Sequence, residues 1–307
     1  MEQKTSSKKN FWNLKRTGYI FTALMVFLPL MDFIVFYCIV NGGSIFAAFF
    51  DNLDGSFTLD HIKAVLQSFG DTTSGDSLFV CLKNTMIYFV ASFVTIPISI
   101  LLTYFLYKRI LGHNFFRIVF FLPGIISGLV WVTAWKELTS YSGLLGQFME
   151  MIGKPLSTSI YKDAETTTTS LVFYGWWLGL AGGMLYYFSA MSRIPVSVLE
   201  AAKIDGCTPF GEFWSIVLPL IGPTAGTMIT LSFSGMLGST GPILLFISDG
   251  LAGISTLSFR IYHIMLQSPT GDIGFVSALG LLMTVVSLPI VFTARYLTNR
   301  FFPAYEY

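Results

Sequence analysis

The chain has 307 residues, of which 53% are apolar, 16% aromatic and only 11% charged, with a formal net charge of +1. Soluble domains carry about 25% charged residues, so this balance excludes an ordinary soluble enzyme, and no basic surface offers a nucleic-acid partner. It fits an all-α protein whose helices cross a lipid bilayer repeatedly, with membrane lipid as its solvent.

The elements follow in chain order. Residues 1–18 carry Lys4, Lys8, Lys9, Lys15 and Arg16. This basic tail reads as a topogenic signal at the membrane border, and a nucleotide or acidic lipid surface is the other reading. Six stretches have about the 20 apolar residues that a spanning helix needs: 19–40, 84–107, 118–135, 171–191, 220–246 and 274–294. The first lacks a small-residue cleavage site and is longer than a signal-peptide core, so it should stay as an anchor. Residues 41–83 form an outer segment in which Leu59, Ile62, Val65 and Leu66 recur at helical spacing, predicting an amphipathic helix over 58–69. Residues 143–169, with Pro155 and the run Thr166 to Thr169, read as a loop on the same side. Residues 193–219 are a polar interval between the fourth and fifth stretches, and 297–307 form a short tail after a core of 84–296.

Charge orients this arrangement. Twelve of the 18 Lys and Arg lie in the N-terminal tail, the second-to-third connection, the 193–219 interval and the C-terminus, whereas eleven of the 17 acids lie on the opposite side. Basic flanks mark the cytoplasmic face, so both termini and the 193–219 interval are expected inside the cell membrane.

The 193–219 interval has a definite local logic. Pro195 and Pro209 suit the first turns of two short helices, Thr208 suits the cap of the second, and Gly206 suits the break between them. Ala202 and Gly206, four apart, predict a small-residue face that another protein could approach closely, with Glu200 at its rim.

Within this interval Glu200, Ala201, Ala202, Asp205 and Gly206 are followed at fixed spacing by Ile216, Leu218 and Pro219. The pattern resembles the E-A-A-x3-G-x9-I-x-L-P loop of the membrane-spanning subunits of ABC importers. The resemblance runs from Asn84 to the last stretch, and implies the type I importer permease fold with Glu200 to Pro219 as the coupling helices. It implies partners too: a homologous second permease subunit, two ATP-binding subunits and an extracellular solute-binding protein. No G-x4-G-K-[ST] phosphate loop occurs, so ATP and Mg would belong to the separate ATPase and this chain would carry no cofactor and no catalytic residue. The run Ser255-Thr256-Leu257 through Tyr262, then Gly274 and Ala278, is similar to the carbohydrate branch of that family. Asp249 to Gly253 departs from it by lacking a proline, and no outer loop has the length of the maltose permease's large external domain.

Several residues suggest a substrate path. Gly175, Gly179 and Gly183 form a stripe that should face another helix. Trp176 and Trp177 beside it fit either a cavity where rings stack on sugar faces or an aromatic belt. The fifth stretch is interrupted by Gly235, Gly238, Ser239, Thr240, Gly241 and Pro242, which lipid cannot satisfy. Ser239 and Thr240 would then offer hydroxyls to a carbohydrate, or the break is a packing kink. Pro97, Pro123 and Pro289 read as kinks. Asp32 is the one acid well inside a stretch, thin support for an ion-coupled secondary transporter. Cys38, Cys81 and Cys207 lie apart, and His61, His113 and His263 show no metal spacing. The expected function is a permease for oligosaccharides or related carbohydrates, with a polyol or glycerol phosphate as the alternative solute.

Overall fold

The computed structural model describes residues 18–19, 21–51, 55–70, 77–154, 160–247, 253–267 and 273–302. The basic tail, Pro155, and Asp249 to Ala252 lie outside the described residues. Among the described residues the protein is helical, and β pairing is limited to one antiparallel bridge between Phe50 and Phe57. The chain divides into two compact units, Met1–Val65 with Thr270–Leu281, and Leu66–Pro269 with Leu282–Tyr307.

In the first unit, α1 runs Phe21–Phe49 with a π-helical stretch at Phe33–Ile39, nine residues beyond the predicted end. Its side chains are almost all exposed, as expected of a surface made for lipid or another apolar partner. Asp32 sits where the π-helical stretch begins and makes no ion pair among the described residues. Helix α2, Asp60–Gly70, which begins in this unit, is the amphipathic helix expected over 58–69. Its N-terminus is held by Thr58 and by the Lys63–Asp60 pair at 3.1 Å, and hydrogen bonding to Lys63 holds the Asp60 carboxyl below its usual range.

The second unit holds the core. Helix α3, Leu78–Tyr107, is capped by Ser77, whose hydroxyl accepts from Val80 N–H. At 30 residues it is about 45 Å long, enough to cross a hydrocarbon core of about 30 Å. The third predicted stretch is not one helix. It is broken at Ser127 into α4, His113–Ile125, and α5, Gly128–Leu138, which meet at 111°. Pro123, one turn before the break, cannot donate to the helix ladder, which weakens the hydrogen bonding there.

The region read as a loop over 143–169 is largely structured. Helix α6 covers Leu144–Met151, and α7 begins at Ala164, one and a half turns before the threonine-rich run ends. The reason is capping. Asp163 accepts from Thr166 N–H at 3.2 Å, and the Thr166 and Thr167 hydroxyls donate to Ile160 and Asp163 carbonyls, so the polar residues feed a helix start. Helix α7 then runs unbroken to Met191 and packs along α3.

Two short helices follow, α8, Val196–Ile204, and α9, Pro209–Leu220, the latter with a π-helical stretch at Phe213–Val217. Helix α10, Gly222–Ser234, leaves α9 at 68°. Beyond Ser234 the fifth stretch loses regular structure, as its glycines and Pro242 predict, and resumes only as the single turn α11, Ile243–Phe246. Helices α12, Leu257–Gln267, and α13, Ile273–Phe301, complete the chain. Among the described residues three helices, α1, α3 and α13, are long and apolar enough to span a membrane, and up to five spans result if each bent pair counts as one. Helix α7, at 28 residues, also has the length of a span.

Candidate functional site

The two-helix loop is built as its residues dictate. Helix α8 ends in a Schellman arrangement: Cys207 N–H donates to the Ala202 carbonyl at 2.9 Å and Gly206 N–H to Lys203 at 3.1 Å. Gly206 takes φ +73°, the left-handed conformation that glycine adopts without a Cβ penalty. Thr208 then caps α9 by accepting from Gly211 N–H at 3.2 Å, and Pro209 fills the first helical position. Pro195 stands one place earlier than expected, as the residue before α8, with Val196 opening the helix.

The expected Ala202 and Gly206 face is not open. Ala202 is buried within the chain's own fold, whereas Gly206 is exposed past the helix end, because the Schellman turn redirects the backbone between them. The exposed surface is made instead by Glu200, Ala201, Asp205 and Gly206 together with apolar side chains, Ile204 at 86% exposure and Phe210 and Trp214 on α9. Ile216, Leu218 and Pro219 are half-buried, and the first two pack against a core of Ile100, Tyr104, Tyr187, Met191, Leu199, Phe213 and Val217.

A tie between the loop and the end of α3 escaped the sequence reading. Lys108 Nζ lies 2.6 Å from Glu212 Oε2, and Tyr104 donates its hydroxyl proton to the Pro209 carbonyl at 2.7 Å. The Glu212 carboxylate is buried, and a buried carboxylate needs a partner. The Tyr104 and Phe213 rings pack at 5.0 Å. Four side chains thus join α9 to the end of a membrane-spanning helix.

The glycine stripe of α7 faces α3 in part. A Cβ on Gly183 would stand 3.0 Å from Ser99 Oγ, and one on Gly179 would stand 3.5 Å from Thr95, whereas one on Gly175 would meet nothing within 4 Å. Where the helices diverge they leave a groove of about 220 Å³ lined by Ser92, Thr95, Ser99, Gly175, Tyr186 and Ser232 among others, with no acid or base. Ser99 Oγ is fully buried there and has no hydrogen-bond partner among the described residues. Such an atom costs free energy unless something arrives to satisfy it.

The other expected path residues sit elsewhere. Trp177 packs edge-on against Trp131 at 4.6 Å and near Trp135, within an aromatic cluster that includes Tyr174 and Phe246. Trp176, its neighbour on α7, is half-buried. Ser239 and Thr240 are exposed at the break, where Ser239 Oγ accepts from Gly241 N–H and Thr240 donates to the Gly241 carbonyl. Among the described residues no group of acids, histidines and cysteines could hold a metal ion.

Comparison with known proteins gives a consistent set of relatives. Residues 82–303 match the family described as binding-protein-dependent transport system inner membrane component. The multiple sugar-binding transport system permease protein MsmF of Streptococcus mutans is 27% identical over 192 residues, 62% of this chain and 65% of that one. The arabinooligosaccharides transport system permease protein AraP of Halalkalibacterium halodurans is 26% identical over 232 residues, 73% of this chain and 72% of that one. The chain thus spans just under two thirds of MsmF. Among solved structures, a chain of a bacterial ABC transporter involved in the import of the acidic polysaccharide alginate superposes with a TM-score of 0.78 at 21% identity, covering 95% of this chain and 99% of that one. The fold is therefore that of an ABC importer permease.

Proposed function

The chain belongs to the binding-protein-dependent transport system inner membrane component family, and from that membership we propose that it is the multi-pass permease subunit of an ATP-driven importer of oligosaccharides or related carbohydrates. The observation that carries the proposal is the tie of Lys108 and Tyr104 to the Glu200–Pro219 loop, a rigid joint between a surface loop and a spanning helix. In this reading Glu200, Ala201, Asp205 and Gly206 present the loop to a separate ATPase on the cytoplasmic side, with Ile204 and Phe210 as its apolar anchors. Exposed aromatic and aliphatic side chains next to charged ones are the composition of a protein contact. Closure of the ATPases on ATP displaces the loop, and α3 follows. ATP drives the change only by binding the inward- and outward-facing states unequally.

The solute class is read from the groove between α3 and α7. Hydroxyl and aromatic groups without fixed charge suit a neutral polyhydroxy solute, and Ser99 Oγ is a hydrogen-bonding atom in want of a partner. Its volume is below the about 300–1,000 Å³ of pockets that enclose whole ligands. A facing, homologous permease subunit would complete it, and an external solute-binding protein would deliver the cargo. With two ATP-binding subunits, these are the partners of the proposed assembly, with both termini of this chain in the cytoplasm.

The test is co-purification of the intact chain with an ATPase, followed by uptake of labelled oligosaccharides in vesicles. Uptake that depends on ATP and is abolished by ATPase removal supports the proposal. Uptake that collapses with a proton ionophore but ignores nucleotide assigns the chain to ion-coupled transport instead.

A further inference from the structure

Two cavities in the second unit meet at one side chain, and their chemistry differs. The first, about 490 Å³, lies between the start of α10 and the end of α13 and is lined by Pro223, Thr227, Thr230, Arg295, Asn299 and Phe302 among others. Among the described residues no acid lines it and Arg295 makes no ion pair. The second, about 450 Å³, is apolar, lined by Phe93, Ile100, Trp214, Leu218 and Ile229 among others, and Phe302 borders both. A cation-bearing polar cavity beside an oily one is the negative image of an amphiphile with an anionic head.

We propose that the two cavities hold one anionic phospholipid of the phosphatidylglycerol type, its phosphodiester on Arg295 and Asn299 and an acyl chain in the apolar cavity. Arg295 and Asn299 are four apart on α13, so they share a face and offer a guanidinium fork and an amide to one phosphate. The Thr227 hydroxyl proton is committed to the Pro223 carbonyl, whereas the Thr230 hydroxyl bonds both the Gly226 carbonyl and Thr298 Oγ1. The Thr227 oxygen therefore serves as an acceptor, which suits a head group bearing hydroxyls rather than a bare phosphate. The C-terminal end of α13, with Arg295 and Arg300, is basic and matches an anionic cytoplasmic leaflet. Because Trp214 and Leu218 of α9 line the acyl cavity, the lipid would wedge beneath the loop that is tied to Lys108. This goes beyond the transport proposal and does not need the solute to be known.

The test is native mass spectrometry of the full chain, purified in detergent and exposed to equal phosphatidylglycerol and phosphatidylcholine. The expected result is one retained phosphatidylglycerol, preferred by roughly fivefold, the factor that one basic side chain at a membrane surface provides. Arg295→Gln should erase the preference and Arg295→Lys should keep most of it, while Arg193→Gln, outside the cavity, should leave it intact. Should Arg295→Gln not fold, Asn299→Leu tests the same head-group site. Equal retention of both lipids, an unchanged preference in Arg295→Gln, or displacement by soluble glycerol phosphate as effective as by lipid would each overturn the proposal. So would efficient cross-linking of Asn299→Cys to another protein subunit in the native membrane, which would give the cavity a protein occupant.

Discussion

Lys108 and Glu212, 104 residues apart in the chain, form an ion pair with Nζ 2.6 Å from Oε2, and the carboxylate end of that pair is almost wholly buried. The lysine keeps about a fifth of its side chain exposed. Removing one partner of a buried pair costs about 3–5 kcal/mol, and the lysine's exposure places this pair at or below the lower end. Lys108→Met should therefore lower the melting temperature of the purified chain. The double variant Lys108→Met with Glu212→Leu should recover it, because no charge is then left in the interior. If the pair transmits force, the double variant will remain stable yet show ATP hydrolysis poorly linked to uptake. Stable and fully coupled behaviour in both variants would remove the joint from the mechanism.

Gly206 holds the left-handed turn at the apex of the loop. A β-branched residue there meets about 1–2 kcal/mol of backbone strain, so Gly206→Val should leave membrane insertion intact and reduce ATP-dependent uptake on the order of tenfold. Glu200→Ala, on the exposed face of α8, should weaken ATPase association without changing thermal stability. Pull-down of the ATPase by each variant separates a docking loss from a folding loss.

The groove makes an unusual stability prediction. Because Ser99 Oγ is buried without a partner, Ser99→Ala should be neutral or raise the melting temperature, since it removes an unsatisfied polar atom. The same substitution should raise the KM for solute several-fold if the hydroxyl meets the cargo, about the worth of one hydrogen bond. A fall in stability would show that Ser99 has a protein partner in the working conformation.

Two glycines on one stripe should behave differently. Gly183→Val places atoms where Ser99 stands at 3.0 Å and should destabilise by about 1–3 kcal/mol, the ordinary cost of overpacking. Gly175 has open space around it, so Gly175→Leu should fold normally and yet obstruct uptake by filling the groove. Equal stability loss in both variants would mean that α3 and α7 close over Gly175 as well.

Thr208→Ala removes the cap of α9 and should cost about 0.5–2 kcal/mol, with Thr208→Ser close to wild type. Thermal denaturation followed by helical circular dichroism would register it.

The amino-acid sequence by itself determined that this is a helical membrane protein, and it located the two-helix loop with its Thr208 cap, Pro209 start and Gly206 turn. Those features are local: apolar run length, a capping hydroxyl and a residue without Cβ act over a few positions, so their spacing is enough. Capping of α7 by Asp163 was equally local, but it was hidden by threonines that resemble a loop until their hydroxyls are seen bonded to backbone. Only the tertiary structure decided that Ala202 turns inward, that Glu212 finds Lys108, that Ser99 is left without a partner beside the Gly175–Gly183 stripe, and that Phe302 divides a polar cavity from an apolar one. These depend on helices far apart in the chain being brought side by side. The rotation of each helix about its axis, which no local spacing fixes, chooses the side chains that meet.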